Sequence, residues 1–139
     1  MHCYEASATI SASPEAVWAI LTDASAYASW NPTIDRVEGV IAPASTVTVY
    51  TKADPKHAFP VKVSEFEPPL RMEWSGGMPL GLFKGVRTFT LTPGTDGTTR
   101  FHMLEEYTGP ILGMMWKQMP DLGPAFEEFA TSLKKKAEG

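Results

Sequence analysis

A long run of strand-like segments that ends in one amphipathic helix is the feature that most constrains the fold of this chain. Between residues 34 and 107, short alternating apolar stretches are separated by turn sequences such as Asp54-Pro55 and Gly76-Gly77. Connections this short join strands that run antiparallel. The pattern predicts six consecutive strands, at residues 34–39, 46–52, 59–66, 70–75, 83–92 and 99–108.

The segment before this run predicts one further strand and two short helices. Residues 4–10 alternate with a period of two, as a strand does. Ser13 then suits the N-cap of a helix, and Pro14 suits its first position. We expect this helix to end near Asp23 and a second short helix to occupy residues 24–30.

The period of the apolar residues changes after the last strand. Leu122, Phe126, Phe129 and Leu133 follow a +4, +3, +4 spacing, which indicates a long C-terminal amphipathic helix. A seven-stranded antiparallel sheet must curl around this helix if both are to bury their apolar faces. The predicted fold is therefore α+β, a single domain over residues 1–139, with the two short helices between strands 1 and 2.

Composition excludes several classes of function. The chain has 139 residues, 43% of them hydrophobic, and a net charge of −4. Its one basic run, at residues 134–136, is too small for binding a phosphate backbone, so no nucleic acid partner is expected. The one cysteine, Cys3, excludes an internal disulfide framework. No apolar run has the length of a membrane span and no secretory signal is evident, so we expect a cytoplasmic protein.

The last two predicted strands form a hairpin that places opposite charges on an apolar face. If residues 95–97 make a three-residue loop, Arg87 lies opposite Glu105. Such a pair is either a structural ion pair, which a bidentate arginine–carboxylate geometry would favour, or the polar end of a binding cavity. A register error of one residue would replace Glu105 by Glu106, so the assignment depends on the register.

The sequence predicts no metal site and no cofactor. His2, His57 and His102 lack the spacing of metal ligands, and alternation places His102 on the outer face of its strand. The chain also lacks a G-x-S-x-G nucleophile elbow and a glycine-rich phosphate-binding loop.

Five short motifs, in this order along the chain, identify a relationship to known proteins. They are Ser13-Pro14-Glu15-Ala16-Val17-Trp18, Trp30-Asn31-Pro32, Arg71-Met72-Glu73-Trp74, Phe83-Lys84-Gly85-Val86-Arg87-Thr88-Phe89 and Glu106-Tyr107-Thr108-Gly109. With the element order, they resemble the START/Bet v1-like (SRPBCC) superfamily, and within it the small bacterial proteins of polyketide cyclase/dehydratase type.

The resemblance implies a helix-grip fold, in which a curved sheet wraps a long C-terminal helix and a cavity between them holds a lipid-, polyketide- or aromatic-like molecule. The apolar, Met-rich segment 111–119, helical or irregular, would help to close this cavity, with Met114 among its lining methionines. The expected ligand-binding residues are Trp30, Phe59, Val61, Met72, Trp74, Phe83, Arg87, Phe89, Met103, Glu105, Tyr107, Met115, Met119, Leu122, Phe126 and Phe129.

Three functions are compatible with this resemblance. The first is binding, transport or sequestration of a small hydrophobic ligand. The second is a cyclase/dehydratase-like enzyme that uses the same cavity, although the sequence assigns no catalytic residue. The third is a co-chaperone-like interaction module, which a filled interior and an external apolar patch would favour. A homodimer and a gating role for the glycine-rich loop at residues 76–81 are left open.

Overall fold

Seven antiparallel strands form one sheet in the computed structural model, which describes residues 2–139. In chain order they are β1 (His2–Ile10), β2 (Ile34–Glu38), β3 (Thr46–Thr51), β4 (Phe59–Glu67), β5 (Arg71–Gly77), β6 (Lys84–Pro93) and β7 (Thr99–Thr108). The spatial order is β1-β7-β6-β5-β4-β3-β2, so that β1 joins the edge of the meander beside β7. The predicted meander is confirmed, and each predicted strand end lies within two residues of the observed one.

Four α-helices accompany the sheet. They are α1 (Pro14–Leu21), α2 (Tyr27–Trp30), α3 (Leu112–Gln118) and α4 (Gly123–Glu138). Ser13 caps α1 as predicted, because its Oγ accepts a hydrogen bond from the backbone N–H of Ala16 at 3.1 Å. The second predicted helix is shorter than expected, since Ala24–Ala26 forms a 3₁₀ turn before α2 begins.

The core lies between α4 and the concave face of the curled sheet. Phe129 on α4 is buried and packs its ring 6.2 Å from that of Phe101 and 5.9 Å from that of Phe89. Burying a phenylalanine side chain stabilises a fold by about 1.5–3 kcal/mol, so this triad alone holds the helix strongly against the sheet. The predicted helix-grip architecture is therefore confirmed.

Two hydrogen bonds fix the C-terminal turns of α4 to the end of β1. Lys134 Nζ donates to the backbone oxygen of Thr9 at 2.7 Å, and the N–H of Ser11 donates to Glu138 Oε2 at 2.8 Å. Lys134 and Glu138 also pair with each other at 2.7 Å. These contacts leave the first turn of α4, near Phe126, as the end that lies beside α3.

The turn between β7 and α3 requires a glycine. Gly109 has a φ of +126°, and a Cβ at this position would collide with the backbone oxygen of Leu82. We predict that Gly109→Ala lowers the free energy of unfolding by about 2–3 kcal/mol. Gly113→Ala is the control, because nothing lies within 4 Å of its added methyl and it sits inside α3. Urea denaturation midpoints measure both effects, and equal midpoints for the two variants would contradict the prediction.

Candidate functional site

The hairpin of β6 and β7 has the register that the sequence predicted. The N–H of Gly94 donates to the oxygen of Thr98 at 2.8 Å and closes the three-residue loop, in which Gly97 has a φ of +82°. Arg87 is then the direct neighbour of Glu105, and Glu106 is exposed on the other face of the sheet. His102 also faces outward as predicted, where it pairs with Glu5 at 2.8 Å.

A row of four side chains crosses the inner face at this point. Trp74 on β5 pairs with Arg87 on β6, which pairs with Glu105 on β7, which pairs with Tyr4 on β1. Side chains in one row of a sheet lie within contact distance of their neighbours. The row therefore joins one ion pair to an aromatic side chain on each flank.

Arg87 and Glu105 form a half-buried ion pair with a single hydrogen bond. Arg87 Nε lies 2.6 Å from Glu105 Oε1, and the two side chains are 22% and 17% exposed. The guanidinium carbon stands 4.7 Å from the ring centre of Phe126 and 5.9 Å from that of Phe129. Within residues 2–139 the hydrogen bond from Nε is the one that joins the pair, so the pairing is not bidentate.

The carboxylate of Glu105 reaches over a glycine toward Tyr107. A Cβ on Gly85 would stand 2.9 Å from Glu105 Oε2 and 3.3 Å from a ring carbon of Tyr107, so the missing side chain makes room for both. Burial and the adjacent Glu105 carboxylate raise the pKa of the Tyr107 phenol. Tyr107 is therefore a neutral hydroxyl beside the ion pair.

An aromatic wall surrounds a side chain that the sequence analysis did not select, Trp116 on α3. Its ring stacks on Tyr4 at 5.3 Å and lies 5.5 Å from Tyr107, while Phe126 lies 5.5 Å from Tyr4. Phe83 also stacks on Tyr107, at 5.8 Å. The sequence did contain a reason to consider Trp116, because this residue lies in the Met-rich segment that is expected to close the site.

A second aromatic layer lies deeper, next to the same arginine. Tyr27 is fully buried and donates from its hydroxyl to the backbone oxygen of Leu21 at 2.6 Å. Burial raises the pKa of Tyr27, and the nearby positive charge of Arg87 opposes part of that rise. Trp30 and Trp74 flank Tyr27 at ring distances of 5.0 and 6.0 Å.

Most residues proposed from the sequence lie on the sheet–helix interface, but two do not. Phe59 is 41% exposed, because it opens β4 at the end of the strand and stacks on His57 outside the core. Met114 is 58% exposed on the outer side of α3. The buried members of the proposed set are Trp30, Met72, Trp74, Phe89, Met103, Tyr107, Phe126 and Phe129, and the partly exposed ones are Val61, Phe83, Arg87, Glu105, Met115, Met119 and Leu122.

Buried side chains pack across the sheet–helix interface in this structure. Phe89, Phe101 and Met103 are fully buried there. Two surface depressions, of about 290 and 320 Å³, lie elsewhere, one beside the β5–β6 turn and one between the β2–β3 loop and β4. None of the proposed ligand-binding residues lines either depression. A ligand could therefore bind there only if side chains that are now in contact moved apart.

The fold and the site geometry agree with a family comparison. A family model described as polyketide cyclase / dehydrase and lipid transport matches residues 1–138. The chain belongs to this family. The START/SRPBCC relationship predicted from the sequence motifs is thereby confirmed, whereas the chemistry of an individual member does not follow from the family.

Solved structures share the fold of this family member at low sequence identity. A hypothetical protein from Helicobacter pylori superposes with a TM-score of 0.80 at 14% identity, covering 98% of this chain and 88% of the other. A START superfamily protein from Mycobacterium smegmatis gives 0.74 at 20% identity, covering 99% and 98%. No curated protein is similar in sequence. In the part of the chain described, no helix is long and apolar enough to cross a bilayer.

The ion pair generates a stability prediction. We expect Arg87→Ala to lower the free energy of unfolding by about 2–4 kcal/mol, because the half-buried Glu105 loses its partner. The control is Arg36→Ala, which removes surface ion pairs to Glu38 and Asp35 at 3.1 Å. The side chains of Arg36 and Glu38 are 47% and 55% exposed, so this change should leave the denaturation midpoint close to that of the wild type. Equal losses in urea denaturation would mean that burial adds nothing to the Arg87–Glu105 pair.

The two buried phenols generate a prediction about pH. Tyrosines in the unfolded chain titrate near pH 10, whereas the folded chain holds the protons of Tyr27 and Tyr107 more tightly. The two phenols therefore add to the free energy of unfolding, and this contribution is fully present below about pH 10. It declines as the pH rises above this value, since only the unfolded chain then releases these protons. Tyr107→Phe and Tyr27→Phe should each flatten the decline.

Unfolding midpoints at about pH 8, 10 and 11 measure this slope. Tyr50→Phe is the control, because Tyr50 lies on β3 under the guanidinium of Arg36 and far along the sheet from the site. A slope that both site variants leave unchanged would show that neither phenol carries the dependence.

Proposed function

We propose that this protein binds a small, planar and largely apolar molecule under α3, beside the Arg87–Glu105 pair. The observation that carries the proposal is the enclosure around Trp116. The rings of Tyr4 and Tyr107 lie 5.3 and 5.5 Å from its ring, and Phe126, which packs on Tyr4, connects the enclosure to the ion pair. A ligand ring that displaced Trp116 would keep the same stacking contacts.

The weak attachment of α3 supports this proposal. None of its residues is buried, and its N- and C-caps make no side-chain hydrogen bond. The helix lies between the turn at Gly109 and Pro120, and its aromatic contacts with the sheet come from Trp116. Segments with few buried contacts open at low free-energy cost, as a lid must.

The family description, which includes lipid transport, is consistent with binding and release of an apolar molecule. The remaining proposed contacts, from Met72, Trp74, Phe89, Met103 and Phe129, lie deeper and would serve a ligand that extends past Arg87 toward α4. Cyclase or dehydratase chemistry is less well supported, because proton transfer at neutral pH needs a group that titrates near 7, and the pKa of Tyr107 is shifted away from it.

A second candidate function has one specific observation in its favour. Met78, Leu80 and Leu82 are exposed in the loop before β6, Leu80 by 96%, and Met114 is exposed on the adjacent helix. The N–H of Ile111 donates to the oxygen of Leu82 at 3.2 Å, which holds this loop against the start of α3. An external apolar patch beside a filled interior is what an interaction module would present.

Binding of a fluorescent apolar probe, N-phenyl-1-naphthylamine, tests the proposal. We predict that Trp116→Ala raises the affinity for the probe severalfold by vacating the enclosure, and that Phe126→Trp lowers it about tenfold by narrowing the enclosure. Met114→Ala, on the outer side of the same helix, and Leu80→Ser, in the exposed loop, should leave the affinity unchanged.

The controls also separate the two candidate functions. Probe binding that responds to Leu80→Ser and ignores Trp116→Ala and Phe126→Trp would place the apolar site on the external patch. Absence of probe binding in the wild-type protein would contradict the enclosure itself.

A further inference from the structure

The loop between β5 and β6 holds a large apolar side chain in solvent. Leu80, at the tip of this loop, is 96% exposed, and its backbone has left-handed angles (φ 61°, ψ 19°). The N–H of Met78 donates to the oxygen of Phe83 at 2.8 Å, which closes the base of the loop. The N–H of Leu82 donates to the oxygen of Pro79 at 3.3 Å, which closes it again nearer the tip. Because the left-handed region is costly for a leucine, this exposed conformation needs an explanation.

This loop and α3 form one external apolar patch that also carries two lysines. Lys84 ends the loop and lines the same surface depression as Met78. Lys117 follows Met114 by three residues on α3, so these two exposed side chains are neighbours on one face of the helix. The exposed apolar members of the patch are Met78, Leu80, Leu82 and Met114.

The two segments that form the patch contain positive charge and no negative charge. Residues 76–85 and 109–120 include no aspartate or glutamate, although the chain has 16 of these residues and a net charge of −4. In the described part of the chain, Lys84 and Lys117 take part in no ion pair. The next acidic residue, Asp121, accepts a hydrogen bond from the first residue of α4 at 2.9 Å. The patch therefore has uncompensated cations in an acidic protein.

An apolar tip between uncompensated cations matches a surface that is anionic outside and apolar beneath. The headgroup and acyl layers of an anionic lipid bilayer have this order. A second copy of the chain fits less well, because it would bring the same two lysines against each other. A stable protein interface also takes roughly 20–30 residues from each side, far more than this patch offers.

We propose that the external apolar patch docks on a lipid bilayer that carries anionic headgroups. Leu80 enters the boundary between headgroups and acyl chains with Met78 and Leu82 beside it, while Lys84 and Lys117 lie among the headgroup phosphates. This inference is independent of ligand binding in the interior, and it assigns the patch to a lipid surface instead of a protein.

Co-sedimentation with extruded vesicles tests the proposal. We expect the protein to bind at least about tenfold more tightly to vesicles of phosphatidylcholine with phosphatidylglycerol than to phosphatidylcholine alone, and added salt should weaken the binding. Leu80→Ser should weaken binding to the anionic vesicles by about tenfold or more, because it removes the inserted side chain. The double variant Lys84→Gln, Lys117→Gln should weaken it by about tenfold, because it removes both cations.

Matched controls lie at the other end of the sheet. In this antiparallel order the β2–β3 and β4–β5 connections share one end, and the β5–β6 loop lies at the opposite end. Val40→Ser removes an apolar side chain that is 74% exposed in the β2–β3 connection. The double variant Lys135→Gln, Lys136→Gln removes two exposed cations from the last turns of α4, which are fixed to the far end of β1. Both controls should leave vesicle binding unchanged.

Each other outcome overturns the inference in its own way. Equal binding to neutral and anionic vesicles would remove the role of the lysines, and equal losses in the control variants would remove the role of the patch. A dimer in sedimentation equilibrium that Leu80→Ser abolishes, without vesicle binding, would assign the patch to a second copy. Binding of N-phenyl-1-naphthylamine without vesicle binding would overturn this inference and leave the interior enclosure standing. Circular dichroism of each variant establishes that it is folded.

Discussion

The pairing of β6 with β7 is the interaction on which the rest of this structure depends. It sets Arg87 against Glu105 on the face that α4 covers, and it sets Gly85 beside Tyr107, where the carboxylate needs room. A shift by one residue would turn every one of these side chains to the other face of the sheet. The three-residue loop with Gly97 in the left-handed region therefore fixes the chemistry of a site several residues away along both strands.

The site combines a rigid base with a loosely attached cover. The base consists of side chains on paired strands and on a helix that is buried along one face, with Phe129 stacked on Phe101. The cover is α3, which contributes Trp116 and buries none of its own residues. Such a division suits the proposed binding of a small molecule, since the base stays ordered while the cover opens.

Sequence patterns were sufficient for the fold because each pattern reports a local constraint. Alternation located the strands, the +4, +3, +4 spacing located α4, and loop length gave the register that pairs Arg87 with Glu105. Phe59 was misplaced because alternation says which face a residue is on, but not where along the strand the covering helix ends. Trp116 was not selected because its contacts join α3 to β1 and β7, and a segment without a clear period does not reveal its tertiary neighbours. The single hydrogen bond of Arg87 depends on atomic geometry, which no residue spacing encodes.

The hydrogen bonds that Lys134 and Glu138 make with the end of β1 tie the last helix of the chain to its first strand. Because β1 is the edge strand beside β7, with Tyr4 opposite Glu105, the same contacts join α4 to the hairpin that carries the ion pair. Loss of the last turns of α4 would therefore loosen the strand that flanks Glu105, although the two lie at opposite ends of the sequence.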